Sequence, residues 1–184
     1  MTISVDVAEE VLGFWFDELD EANWFQSHPG QDDAIRRRFS RLHLSLAEGE
    51  AVDETASARQ RLATILVLDQ FPRNIYRATP LAFATDWMAL REAKAMVEAG
   101  LDRELGVHGR CFSYLPFEHS EELEDQEKAM SLFAGLGDVR YLDFAMRHRD
   151  VIRQFGRFPH RNACLGRQST EAELEYLAQP GSGF

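Results

Sequence analysis

Residues 57–77 read SARQRLATILVLDQFPRNIYR, and this stretch decides the fold class. Ser57 with Gln60 three positions on has the spacing of a capping box, in which each side chain satisfies an amide of the other residue at a helix start. The run Leu62-Ala63-Thr64-Ile65-Leu66-Val67-Leu68 then has no polar face, so this helix is expected to be almost fully buried. It delivers Asp69, Gln70, Phe71, Pro72, Arg73, Asn74, Ile75, Tyr76 and Arg77 at its far end. A carboxylate that directly follows the most apolar run in the chain needs a partner, because an unpaired buried charge is costly. Arg73 or an arginine from further along could supply it.

Working outward, apolar residues recur at helical spacing throughout. A first helix is expected over 4–18, capped by Ser4, with Val7, Val11, Phe14 and Trp15 inward. Phe14-Trp15-Phe16 and Trp24-Phe25 are taken as core packing rather than a cofactor platform. A second helix covers 31–48, with Ile35, Phe39, Leu42 and Leu46 inward, Arg36 to Arg38 outward and Gly49 as its stop. Thr79-Pro80 predicts a fourth helix running to Gly100 and presenting Phe83, Trp87, Leu90 and Met96. Cys111–Leu115 predicts a short buried helix ending before Pro116, and Ser120 predicts a cap with Glu121 and Glu122 in the first turn. Asp138 caps a seventh helix, whose stripe of Tyr141, Phe144, Ala145, His148, Val151, Ile152 and Phe155 includes one histidine. Thr170 and Glu173 form a second capping box, opening a last helix through Leu177. No strand pattern occurs. The expected class is all-α, about seven to nine helices in antiparallel hairpins with no sheet, as one domain over 1–178 followed by a loose tail, 179–184.

The composition of the 184 residues is that of an ordinary globular protein, 45% hydrophobic and 28% charged. No apolar run approaches the roughly 20 residues that span a bilayer, so no membrane association is expected. Two cysteines without metal or redox spacing fit reduced thiols in a cytoplasm. The net charge of −11 argues against general nucleic-acid affinity, which needs a broad basic face. Nothing in the sequence sets an oligomeric state.

Against that acidic background, RHRDVIRQFGRFPHRNACLGRQST at 147–170 carries six arginines and one acid. Of the chain's 20 basic residues, 18 are arginine, the type whose planar fork binds carboxylate or phosphate bidentately. Three segments are expected to join as a site for a small anionic molecule or acidic peptide. They are Asp69, Arg73, Asn74 and Arg77; His119 and Glu122; and His148, Arg157, His160, Arg161, Asn162 and Arg167. Within it, Arg157, Arg161 and Arg167 are the expected main contacts, with the 69–77 segment beside the 157–167 loop and Asp69 paired to an arginine or histidine. The competing reading is structural: the arginines tie loops to helix ends and to the acids of 118–127. An enzyme is the alternative function, hydrolase-like, with His148 or His160 as acid–base groups on an anionic substrate and Asp69 orienting one of them. Its metal-dependent form draws on His119 and Glu122, three apart on one helical face, and His148. No phosphate-binding glycine loop is present, and no cofactor is expected.

LDQFPRNIYR, YLPFEHSEELEDQ and FGRFPHRNACLGRQST together, with FWF near the start and ATDWMAL in the middle, resemble the bacterial family catalogued as domain of unknown function 924. The resemblance spans nearly the whole chain. It implies a fold similar to tetratricopeptide-repeat proteins, with helical hairpins around a concave surface, and it brings no activity with it.

Overall fold

The structure, a computed structural model, describes residues 3–26, 28–49 and 54–183. Ser4 caps α1 (Val5–Gly13), accepting from Val7 N at 3.3 Å, and the helix ends in a π turn, Phe14–Glu18. α2 spans Pro29–Ala47. α3 (Ala58–Ile65) opens on the capping box, with Ser57 Oγ accepting from Gln60 N and Gln60 Oε1 accepting from Ser57 N at 3.1 Å. A second π turn, Leu66–Gln70, joins it to α4 (Phe71–Ile75) as one rod. There follow α5 (Asp86–Glu98), α6 (Val107–Glu118), α7 (Leu123–Ala134), α8 (Val139–Phe155) and α9 (Glu171–Leu177). Because α3 and α4 are continuous, the described residues form eight helical rods and contain no strand.

The rod through Ile65 is the hub: α3 packs on α1, α5 and α6, while α4 packs on α2. Residues Leu62 to Leu68 are all buried, the apolar ones at 2% exposure or less. Of the aromatic residues expected to pack, Phe14 and Trp15 do so around Phe71, whose ring lies 4.8 Å from Phe39, 5.7 Å from Trp15 and 6.2 Å from Phe14. Phe16 and Trp24 pack on Phe112, and Phe25 lies largely exposed over it. Each such side chain contributes roughly 1.5–3 kcal/mol by leaving water. From α5 onward each helix packs on the next through α8, and the links 119–122 and 135–138 are too short to do otherwise.

Local expectations need correction at four places. Thr79-Pro80 opens only a 3₁₀ turn, Pro80–Phe83, and the α-helix proper starts at Asp86. That phase turns Met88, Ala89, Ala93 and Met96 inward and leaves Trp87 60% exposed. Pro116 lies inside α6 rather than beyond its end. Burial of Phe112, Tyr114, Leu115 and Phe117 carries the helix through a position where proline removes one backbone donor. Ser120 does not cap α7: its hydroxyl accepts from Glu122 N and donates to Asp125, and the helix begins at Leu123. Gln126 Nε2 fixes this turn, donating to Glu118 O at 2.6 Å and Ser120 O at 2.7 Å. Phe144, placed on the inner stripe of α8, is exposed. The second capping box forms as expected at Thr170 and Glu173. In the 179–184 segment, Gly181 O accepts from Arg147, while Phe184 lies outside the described residues.

Candidate functional site

The π turn at Leu66–Gln70 places Asp69 and Gln70 where the buried rod emerges. One extra residue in the turn re-aims the side chains that follow, which is why such bulges recur at functional positions. Asp69 is 0% exposed. Its Oδ1 lies 2.8 Å from His119 Nδ1, at the C-terminus of α6, and its Oδ2 accepts from Gln70 Nε2 at 2.5 Å. Arg73, one turn on, donates to the Asp69 carbonyl and sits 3.5 Å from Oδ1. The carboxylate expected to need a partner therefore has three.

Arg73 also grips Asp86, the first residue of α5, with both Nη atoms at 2.9 and 3.0 Å. The same carboxylate is touched by Arg161 Nη1 at 3.4 Å. Arg161 lies in the 3₁₀ turn Pro159–Arg161, its guanidinium held between Phe83 at 4.7 Å and Phe158 at 4.5 Å. The contacts close into a circuit. From Phe158 the next step is His148, 5.6 Å away between ring centres, and from His148 it is His119, at 6.3 Å. The 69–77 segment and the 157–167 loop thus meet, through Asp86.

Charge is distributed unevenly within this circuit. Burial opposes ionisation of Asp69, but Arg73, His119 and Gln70 outweigh it and hold the carboxyl far below its usual range. Burial lowers His119 from its ordinary value, with Asp69 opposing the shift and Arg73 adding to it. Burial and then Arg161 bring His160 down to about 4, and burial takes His148 well below its usual range. Glu118, whose Oε1 is 3.1 Å from His148 Nδ1, is pushed up to about 8 by burial and by Asp69. Burial and then Arg73 lower Arg161 to about 10. Arg161 is only 7% exposed, and among the described residues its guanidinium makes the single long bond to Asp86. Among the described residues its buried Nε has no hydrogen-bond partner. A guanidinium with five donors rarely stays buried with so few of them used.

The other arginines of the cluster are engaged. Arg157 forks onto Glu173 at 2.6 and 2.8 Å and reaches Gln168 O. Arg167 forks onto Glu121 at 2.7 and 2.9 Å, and also donates to Phe158 O and Asn162 Oδ1. Asn162, 1% exposed, completes the loop with a bond to Ser169 Oγ. Arg149 pairs with Asp150, Arg153 with Glu127, and Arg147 binds Gly181 O. The positive excess at 147–170 is therefore met by acids from elsewhere in the chain, and Arg157 and Arg167 tie loops to helices. Asn74 and Arg77 both bind Asp32 of α2, apart from the circuit. His119 and Glu122 do not share a helical face, since one ends α6 and the other, exposed, precedes α7. Among the described residues no three His, Cys, Asp or Glu side chains gather as a metal site. The sequence placed Glu118 and Glu121 only among the acids of 118–127 and Phe83 only among packing residues, and it did not single out Gln70 or Phe158. The signal for Glu118 and Glu121 was their place in an acidic run opposite an arginine-rich one.

The family model described as bacterial protein of unknown function (DUF924) matches residues 11–181. A solved structure of a protein of unknown function from Agrobacterium tumefaciens is similar over 96% of this chain and 99% of its own, at 36% identity and a TM-score of 0.89. No match is found among curated proteins.

Proposed function

The chain belongs to the bacterial DUF924 family, and we propose that it binds a small anionic molecule through Arg161. The observation that carries this is the state of that side chain: buried, clamped between two phenylalanine rings, and short of acceptors. A carboxylate or phosphate meeting its guanidinium would supply two charge-assisted hydrogen bonds at once. With so little of Arg161 exposed, a small molecule fits better than an acidic peptide laid across a surface. Arg73 and His119 border the same cluster, whereas Arg157, Arg167 and Asn162 hold its walls.

A second reading, acid–base chemistry on that anion, is favoured by one contact. Asp69, fixed and fully buried, orients a histidine that still reaches solvent. The oriented group is His119, not His148 or His160.

Thermal unfolding titrated with phosphate, sulfate and succinate tests the binding. A saturable rise in melting temperature is expected, by linkage between binding and folding. Arg161→Lys should blunt it while leaving the helical circular dichroism intact. No shift with any of the anions, together with a large loss of stability in Arg161→Ala, would mean that Arg161 is one more internal tie.

A further inference from the structure

The anion reading of Arg161, on which this inference rests, leaves open what kind of anion fits, and His119 narrows it. Asp69, ionised and wholly buried, can only accept, so the hydrogen of the 2.8 Å contact belongs to His119 Nδ1. In the neutral ring, which burial favours, Nε2 is then the acceptor, and the described residues make no hydrogen bond to it. Gln70 on the other Asp69 oxygen, and Arg73 beside the first, lock this arrangement in place.

The cluster consequently holds two unlike features, linked through Asp69, Arg73 and Asp86. Arg161 presents an edge of N–H donors to negative charge, and His119 presents a neutral lone pair. Both lie on the circuit through Asp69, Arg73 and Asp86 on one side and Phe158 and His148 on the other. We infer that the site takes an oxyanion bearing its own hydroxyl hydrogen, with charge on Arg161 and O–H donated to His119 Nε2. Hydrogen phosphate and 2-hydroxycarboxylates have this chemistry. Sulfate and simple carboxylates lack the donor, and would set oxygen lone pairs against the lone pair of Nε2.

Calorimetric titration at neutral pH and matched ionic strength, with phosphate against sulfate and glycolate against acetate, separates the possibilities. The hydroxyl-bearing member of at least one pair should bind about tenfold more tightly or better, the scale of one hydrogen bond in a charged site. The pair that shows the preference identifies the source. Asp69→Asn turns an amide donor toward Nδ1 and moves the imidazole hydrogen to Nε2, so the preference should vanish or reverse. His119→Ala should equalise the members of each pair while retaining binding, and it carries the test if Asp69→Asn does not fold. Equal binding of both members in the unmodified protein, or a preference that survives His119→Ala, would overturn the inference and leave the anion reading standing. Failure of all four anions to bind would overturn both.

Discussion

Arg161 approaches Asp86 at 3.4 Å, but Asp86 already holds Arg73 at 2.9 and 3.0 Å. One carboxylate therefore serves two guanidinium groups from segments far apart in the chain, and it serves Arg161 poorly. An incoming anion would compete with Asp86 for the same donors. Asp86→Asn should accordingly tighten phosphate binding by about tenfold at low salt, a gain that fades as ionic strength rises. Titration calorimetry at two salt concentrations checks this, and weaker binding in the variant would place the anion elsewhere.

Asp69→Ala removes a buried carboxylate and leaves Gln70, Arg73 and His119 facing a void. The loss should be about 3–5 kcal/mol of folding stability, the usual result of breaking a buried pair from one side. Arg77→Ala, which opens a half-exposed pair with Asp32, should cost no more than about 1 kcal/mol. Denaturant unfolding of the two variants provides the comparison.

Glu118 makes stability fall as pH rises. Unfolded, it loses its proton near 4.3, whereas burial keeps the native group protonated to about 8. Between those values the native state holds a proton that the unfolded chain does not. Stability therefore drops by up to about 1.4 kcal/mol per pH unit and levels off above 8. His148 acts oppositely: native and neutral, it costs stability below about 6.5, where the unfolded chain takes up a proton. The window from neutral to about pH 8 isolates Glu118, and in Glu118→Gln the decline there should disappear.

What the sequence disclosed, and what it hid, follows from the range of the forces involved. Capping at Ser57 and Thr170 is set by residues three apart, and burial of Leu62–Leu68 by composition alone, so both were legible. Asp69 announced itself as a carboxylate in an apolar context. Its choice of His119, 50 residues on, was not legible, because no local pattern encodes which helix end arrives beside it. The arginine-rich segment misled for the same reason. Its charge is unbalanced along the chain but balanced in space by Glu121, Glu127 and Glu173. Arg161 differs from its neighbours only through Phe83 and Phe158, whose clamp depends on tertiary packing.

Glu173 is both a capping residue and an ion-pair partner: its Oε2 accepts from Thr170 N at 2.7 Å and Arg157 at 2.8 Å. Glu173→Gln can keep the backbone bond and lose the charge, so Ala should be the costlier change. Roughly 1 kcal/mol should separate the two in unfolding experiments, the scale of a helix cap.

The π turn at Leu66–Gln70 makes chain length, rather than residue identity, the quantity that aims the end of this rod. An α-helix turns by about 100° per residue, so deleting one residue within the turn would relax it to ordinary helix. Arg73, Asn74 and Arg77 would then swing together around the axis, away from Asp86 and Asp32, although no contacting side chain had been altered. A single-codon deletion there is expected to dismantle the circuit more thoroughly than any one substitution within it. For this rod, counting residues matters as much as naming them.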